Sequence, residues 1–355
     1  MAGVSAGFVW VTAVRDARWR WKRFLTGALA AALVLGLTLL LTGFVAQVDR
    51  EIGRTVDAIG GQGFVVAAGT PGPFTSVSPI PVSIGSALDA AGTPGGPLIM
   101  VLQTIARSSG PLDIYVFGYQ PGRRGEPHVQ KGRLPSAPGE VVVDESAGTP
   151  VGGHIDMRGI PYAVVGTTHN LTVLAGRPEV FMLLTDAQQA FFGGQPLAMA
   201  FVVDKAVTAP PPGTKYIDRA AGKLDLRRPL GKMIDSVSVF RVLLWLVAAA
   251  IVGSVLYLSA LERAREMAVH KATGASSRDL VAGLVVQAVG LALTAGAGAI
   301  LLALALAPIF PVGIAFTNSL LLSAPLVAVV VGILGSLAGL RRVLRVDPAL
   351  AFGGP

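Results

Sequence analysis

The side chains best suited to chemistry lie far apart in this sequence. Three histidines, His128, His154 and His169, fall in its polar middle, and none has the close histidine or glutamate spacing of a metal site. The chain has no cysteine, which excludes disulfides, thiolate metal sites and cysteine nucleophiles. It also has no Gly-x-Ser-x-Gly elbow and no Gly-x-x-x-x-Gly-Lys-Ser/Thr phosphate loop. The sequence therefore predicts no catalytic residue, no metal site and no directly bound cofactor.

The composition places much of the chain in a membrane. Of 355 residues, 52% are hydrophobic and 14% are charged, against roughly 25% charged in soluble domains. Four stretches are long and apolar enough to span a bilayer as helices: 24–46, 237–260, 280–307 and 320–340. We interpret the net charge of +8 as an excess of basic residues that anchor the chain at the inner membrane face, so no nucleic-acid partner is expected.

Basic residues close to the spans predict the orientation. They precede the first span in 1–23, occur in the loop 261–279 and follow the fourth span in 341–355, whereas the loop 308–319 has none. Both termini and the loop 261–279 are therefore expected in the cytoplasm of a bacterium. The segment 47–236 is expected outside the cell membrane, behind an uncleaved first span.

The outer segment is predicted to be an α+β domain. Val48, Ile52, Val56 and Ile59 recur at helical spacing, so the first span is expected to continue outward as an amphipathic helix. Glycine, proline and serine predict loops from 70 to 97. Short β-like runs follow at 114–117, 141–143, 162–165, 180–184 and 201–203, and Thr185 is the predicted N-cap of a short helix.

Two features near the inner membrane face have more than one interpretation. Gly335 and Gly339 form a Gly-x-x-x-Gly pair, which lets helices approach closely either inside one subunit or at a dimer seam. The loop 261–279 has mixed charges and then a short apolar stripe, with Gly274 as a stop. This pattern fits a short amphipathic helix on the membrane surface. A solvated connector is the alternative for that loop.

The loop resembles a signature of the FtsX/MacB family of ABC transporter permeases, E-R-x-R-E-I followed by [RK]-A-x-G-A-[ST]. Met267 replaces the usual isoleucine, and His270 and Thr273 stand where the family has apolar residues. The tail 345–350 and the outer segment 132–166 resemble the same family. The matching residues of the loop that we assign to coupling are Glu262, Arg263, Arg265, Glu266, Lys271, Gly274, Ala275 and Ser276.

This resemblance implies a fold and a mechanism. The fold is a four-span membrane protein with a MacB-like outer domain between the first two spans and an FtsX-like permease domain at 237–350. Two permeases would pair with two ATP-binding subunits, which hold ATP and magnesium, and 261–279 would be the coupling helix. Separately from the resemblance, we assign Val48 and Ile52 of the outward helix, and Gly335 and Gly339 by their spacing, to a seam between two copies. Motion would pass to the outer side by mechanotransmission.

The resemblance leaves the activity open between two classes. In the first, the chain exports a hydrophobic or amphipathic molecule from the membrane lipid. Its build is similar to haem-exporter and DevC-type permeases, so haem enters only as a candidate substrate. In the second, it is an FtsX-like regulator that transports nothing and activates an outside protein partner, such as a cell-wall hydrolase.

Overall fold

The computed structural model describes residues 21–107, 110–262, 277–310 and 313–344, without the side chains of 23, 277–280 and 337–344. The chain forms two compact units. We call 1–46 together with 234–355 the helical unit, and 47–233 the sheet unit. The described residues form seven α-helices: α1 (Trp21–Ile59), α2 (Ile84–Ala90), α3 (Leu184–Phe192), α4 (Arg219–Arg227), α5 (Gly231–Glu262), α6 (Ser277–Leu306) and α7 (Asn318–Leu344).

Within the described residues, α1, α5, α6 and α7 are long and apolar enough to cross a membrane. Their buried positions are mostly small, including Ala31, Ala248, Ala295 and Ala299, while many leucines are exposed. Small side chains let helix backbones approach closely where no hydrophobic effect drives association. A Cβ on Gly253 would lie 2.5 Å from the carbonyl oxygen of Gly335, so α5 and α7 touch backbone to backbone.

The sheet unit contains thirteen strands, eleven of them in one sheet. They run in the order β13-β1-β12-β3-β4-β10-β6-β8-β5, with β7 added to β8 and β9 to β10. All described pairs in this sheet are antiparallel except β4 with β10 and β6 with β8. The strands are β1 (Gly63–Ala67), β2 (Ile80–Pro81), β3 (Gly95–Ile105), β4 (Leu112–Tyr119), β5 (Lys131–Gly132), β6 (Glu140–Asp144), β7 (His154–Met157), β8 (Ile160–Thr168), β9 (Thr172–Val173), β10 (Arg177–Leu183), β11 (Leu197–Ala198), β12 (Ala200–Val203) and β13 (Thr214–Asp218).

Large apolar side chains fill the core of the sheet unit. Phe117 on β4 stacks on Phe181 of the neighbouring strand β10, with ring centroids 5.2 Å apart and both side chains fully buried. Helix α3 packs over these strands, where Ala187 lies against Gly118. A side chain at position 118 would collide with Ala187, so this glycine sets how closely the helix approaches the sheet.

The fold class predicted from the sequence is confirmed: four membrane-length helices flank an α+β region between the first and second. Two local predictions are wrong. The segment 70–97 is irregular, as predicted, only up to residue 79, and it then contains β2, helix α2 and the start of the eleven-residue strand β3, where Gly95 and Gly96 lie in tight packing and not in a turn. Helix α3 begins at Leu184 with Leu183 as its N-cap, so Thr185 already lies inside the first turn.

Candidate functional site

The segment assigned to ATPase coupling lies almost wholly outside the described residues. Of its eight assigned residues, only Glu262 is described, as the last residue of α5. Arg263, Arg265, Glu266, Lys271, Gly274, Ala275 and Ser276 fall in 263–276, outside the described residues. Helix α6 begins directly after them, at Ser277. The coupling role therefore stays a prediction.

The residues assigned to a dimer seam have neighbours inside their own chain. Val48 is fully buried and Ile52 is 3% exposed, so neither offers a free side chain to a second copy. Gly335 faces α5, where an added Cβ would collide with the backbone of Ala249. These three positions have packing partners within one chain, and their assignment to a dimer seam stays a prediction. Gly339 lies in α7, outside the residues whose side chains are described.

The histidines are spread over the surface of the sheet unit. His128 and His154 are exposed, and the Nδ1 of His169 is in hydrogen-bond contact with the carboxyl group of Glu145. Among the described residues, no group of three or more histidine, aspartate and glutamate side chains is arranged to hold a metal ion.

A cavity lies among the four long helices of the helical unit. Its volume is about 220 Å³. All four helices contribute to the lining, which is mostly apolar but includes one cationic and three hydroxyl side chains. The lining is formed by Leu35, Thr38, Leu39 and Thr42 of α1, Arg241 and Trp245 of α5, Gly296 and Ala299 of α6, and Leu320, Ser323, Ala324 and Val327 of α7.

Arg241 is the charged residue of this cavity. Its guanidinium carbon lies 5.6 Å from the ring centroid of Trp245, within the range of a cation–π contact. Its Nε is buried and has no hydrogen-bond partner among the described residues. An arginine at the centre of a membrane span costs about 2.5–3.5 kcal/mol on insertion scales, and one nearer the end of a span can reach the interface, so the position of Arg241 alone does not require a ligand. The sequence predicts only that this side chain reaches for the interface.

Three hydroxyl side chains, two on α1 and one on α7, also line the cavity. The Oγ1 of Thr38 donates to the carbonyl of Val34 over 2.9 Å, and that of Thr42 to the carbonyl of Thr38 over 2.8 Å. Ser323 on α7 donates to Leu320 over 3.0 Å. Because each hydroxyl proton is used by a backbone carbonyl, these oxygens face the cavity as acceptors.

A second polar cluster holds the end of α1 inside the sheet unit. The carboxylate of Glu51, 1% exposed, accepts from the backbone N–H of Ala175 over 3.0 Å and of Gly176 over 3.1 Å. Leu174, Ala175 and Gly176 all have positive φ, at 51°, 75° and 85°. Successive backbone groups in this conformation form a concave anion site, here filled by Glu51. The strain at two non-glycine residues is held in place by this buried contact.

One turn further along α1, Thr55 donates to the carboxylate of Glu179 on β10. Glu179 is fully buried. Burial raises the pKa of Glu179 to about 8, with smaller raising effects from Asp144 and Glu51, while the Thr55 hydrogen bond opposes them. This carboxyl group is therefore largely protonated at neutral pH. Nothing in the sequence marks Glu51 or Glu179, because each is a single acid in an ordinary charged or apolar stretch.

Together, the four long helices and the inserted sheet unit define a polytopic membrane protein. Comparisons with known proteins narrow this class. Residues 238–348 match the model of the FtsX-like permease C-terminal family. The chain is 40% identical over 345 residues to the uncharacterized ABC transporter permease Rv2563 of Mycobacterium tuberculosis, covering 97% of this chain and 99% of the relative. It is 39% identical over 347 residues to Rv0072 of the same organism, with the same coverage.

Two further likenesses cover less of the chain. The pyoverdine export ATP-binding/permease protein PvdT of Pseudomonas syringae is 31% identical over 126 residues, 35% of this chain and 19% of that protein. The extracellular domain of the ABC-type transporter YknZ from Gram-positive bacteria covers 37% of this chain and 75% of its own, with 16% identity and a TM-score of 0.30. The chain belongs to the FtsX-like family of ABC transporter permeases, as its loop signature indicates.

Proposed function

We propose that this permease serves an exporter that drives a hydrophobic or amphipathic molecule outward from the outer leaflet. ATP and magnesium are held by a separate ATP-binding subunit, and the motion is passed on mechanically. The observation that supports this most is helix α1. It runs without a break through 39 residues, which is about 58 Å at 1.5 Å per residue. A hydrocarbon core is only about 30 Å thick.

The far end of α1 is built to transmit force. Its residues 47–59 belong to the sheet unit, where Val48, Ile52 and Val56 are buried. Glu51 and Thr55 add buried hydrogen bonds to the turn after β9 and to β10. A displacement of the membrane part of α1 would therefore pull directly on the central strands of the sheet.

The proposed assembly contains two permeases and two ATP-binding subunits in a bacterial cell membrane. The termini and the coupling segment 261–279 lie in the cytoplasm, next to the ATPase, and the sheet unit lies outside. A stripe of exposed leucines on α1, at intervals of four residues, is available for lipid or for the second permease. It consists of Leu25, Leu29, Leu33 and Leu37.

Several cargoes fit the proposal. One partial relative is named for pyoverdine export, but the similarity covers 19% of that protein. Haem remains a candidate cargo, although the side chains of Met100, Tyr115 and Tyr119 are buried in the sheet and do not offer surface ligands for its iron.

The direct test is to co-express the chain with its ATP-binding subunit and measure ATP hydrolysis in nanodiscs, with haem and with a panel of amphiphiles. We expect stimulation by one class of compound and loss of that stimulation in Glu266→Ala and Gly274→Pro, with the complex still assembled. His270→Ala is the matched control, since His270 stands at a position of the loop that the signature does not specify. An active complex that is indifferent to all of them would favour the regulator of an outside protein. Coupling at the wild-type level in both variants would refute the role of the loop.

A further inference from the structure

The cavity of the helical unit contains one cation and no acid. Arg241 lines it, and neither aspartate nor glutamate is among the described lining residues. A guanidinium has five N–H donors, and a contact with the face of Trp245 satisfies none of them as a hydrogen bond. Among the described residues, Arg241 has this ring contact and no ion pair. Arg241 is partly exposed in the cavity, so an anionic group that enters there could reach its guanidinium.

The other lining residues indicate the chemistry of the rest of such a molecule. Leu35, Leu39 and Val327 present apolar surface. Thr38 and Thr42 commit their hydroxyl protons to backbone carbonyls. Arg241 is therefore the cationic donor that the lining offers to an anion, beside the neutral indole N–H of Trp245. A volume of about 220 Å³ corresponds to roughly seven water molecules at about 30 Å³ each. It accommodates a head group and the first few carbons of a tail. Ser323, an exposed lining residue, marks where the tail can leave.

The cavity lies near one end of the helical unit. Thr42 is four residues from Ala46 and Arg241 is seven residues from Ile234, where the chain leaves and re-enters this unit. At 1.5 Å per residue these offsets are about 6 Å and about 10 Å. A lipid-like molecule with its head at that depth would keep its tail in the hydrocarbon layer.

We propose that this cavity binds the anionic head group, a carboxylate or a phosphate, of an amphiphile that enters from the lipid phase, with Arg241 as its counter-ion. This inference rests on the proposed export function, because it names the substrate class of that function. The same chemistry is shared by an anionic phospholipid of the bilayer and by a separate cargo, and the test distinguishes these two sources.

Trp245 is a built-in reporter, because it contacts Arg241 and lines the cavity. The full chain is prepared with Trp10, Trp19 and Trp21 replaced by phenylalanine, in nanodiscs of zwitterionic lipid and without the ATP-binding subunit. A brominated fatty carboxylate is titrated, with the brominated alcohol of equal chain length as the neutral probe. Bromine quenches indole fluorescence on contact, so the titration reports occupancy of the cavity.

We expect saturable quenching by the carboxylate. The alcohol should bind more weakly by about tenfold or more, because it lacks one charge-assisted contact with Arg241. Arg241→Gln should abolish this preference, and Arg241→Lys should keep part of it. Ala324→Leu, which fills the cavity, should weaken both probes, whereas Thr294→Val, at an exposed position outside the lining, should change neither. Equal binding of carboxylate and alcohol to the unaltered cavity overturns the proposal even if the Arg241 variants do not fold.

A competition with brominated phosphatidylglycerol shows whether the anionic amphiphile is a bilayer lipid or a separate cargo. Quenching by this lipid with displacement of the carboxylate supports the anion site and identifies bilayer lipid as its occupant. Quenching by the carboxylate alone supports a separate cargo. If binding holds but the complete transporter extrudes nothing, the export function fails and the site stands. If extrusion occurs without a preference for anions at Arg241, the site fails and the export function stands.

Discussion

The two units of this permease bury opposite kinds of side chain. The sheet unit hides phenylalanine, valine and isoleucine, as in the Phe117–Phe181 stack. The helical unit buries mostly alanine and glycine with a few leucines, such as Leu256, and exposes many other leucines, such as Leu301, which is 69% exposed. The difference shows that the two units fold in different solvents. Water drives large apolar groups inward, whereas lipid is as apolar as leucine and leaves close backbone packing to hold the helices together.

The largest contrast is expected from truncating one large side chain in each unit. Phe181→Ala should cost about 3–5 kcal/mol, because it removes a buried ring and leaves a cavity in the sheet. Leu301→Ala should stay within about 0.5 kcal/mol, as at other exposed positions. Both changes in the free energy of unfolding are measured by hydrogen exchange in each unit while the full chain is denatured. A Leu301→Ala cost close to that of Phe181→Ala would show that the exposed leucines form a protein interface.

The next prediction concerns the pH dependence of stability, which is expected in the sheet unit. Glu179 binds a proton in the folded sheet unit up to pH about 8, but its unfolded form releases that proton near pH 4.5. The unfolded state therefore binds fewer protons between these values, so stability is highest below this window and falls as pH rises through it. The expected slope is up to about 1.4 kcal/mol per pH unit. It should appear in hydrogen exchange of β10, corrected for intrinsic rates, and disappear in Glu179→Gln.

A matched acid controls this experiment. The hydrogen bond with Arg133 holds the pKa of Glu140 at about 2, so Glu140→Gln should leave the slope between pH 5 and pH 8 unchanged. If Glu179→Gln keeps the slope as well, another group in the sheet unit is responsible.

The smallest expected effect comes from one methyl group between helices. Gly335→Ala forces a Cβ against the backbone of Ala249, and such overpacking costs about 1–3 kcal/mol. Gly290→Ala meets nothing within 4 Å and should be neutral or stabilising by up to about 1 kcal/mol, since alanine favours a helix. Thermal unfolding of the two variants in detergent gives the comparison. A shift of the same sign in both would mean that α5 and α7 are not in close backbone contact.

The sequence predicted what depends on local pattern. Long apolar runs located the four membrane helices, and the spacing of Val48, Ile52, Val56 and Ile59 predicted that α1 continues beyond its span. Features that need distant partners could not be read in this way. Strand β3 was missed because its Gly-Gly-Pro start looks like a loop until β4 and β12 pair with it.

The candidate sites show the same limit. Arg241 is visible in the sequence as a charge at the edge of a span, but its cavity exists only when four helices come together. The Glu51 site requires a turn more than 120 residues away, where Leu174 and Ala175 adopt positive φ against their own preference. Conversely, the coupling segment was assigned from its signature alone, and that assignment stays a prediction.

The central claim is that α1 transmits motion from the membrane to the sheet unit. Inserting Gly-Gly-Ser after Ala46 breaks this helix at the boundary between the two units, and the same insertion after Gly92, in an exposed turn, is the control. In the reconstituted complex with its ATP-binding subunit, we predict that the first insertion leaves ATP hydrolysis intact and abolishes extrusion of a fluorescent amphiphile. The control insertion should preserve both activities. Extrusion at the wild-type rate with α1 interrupted would contradict the claim.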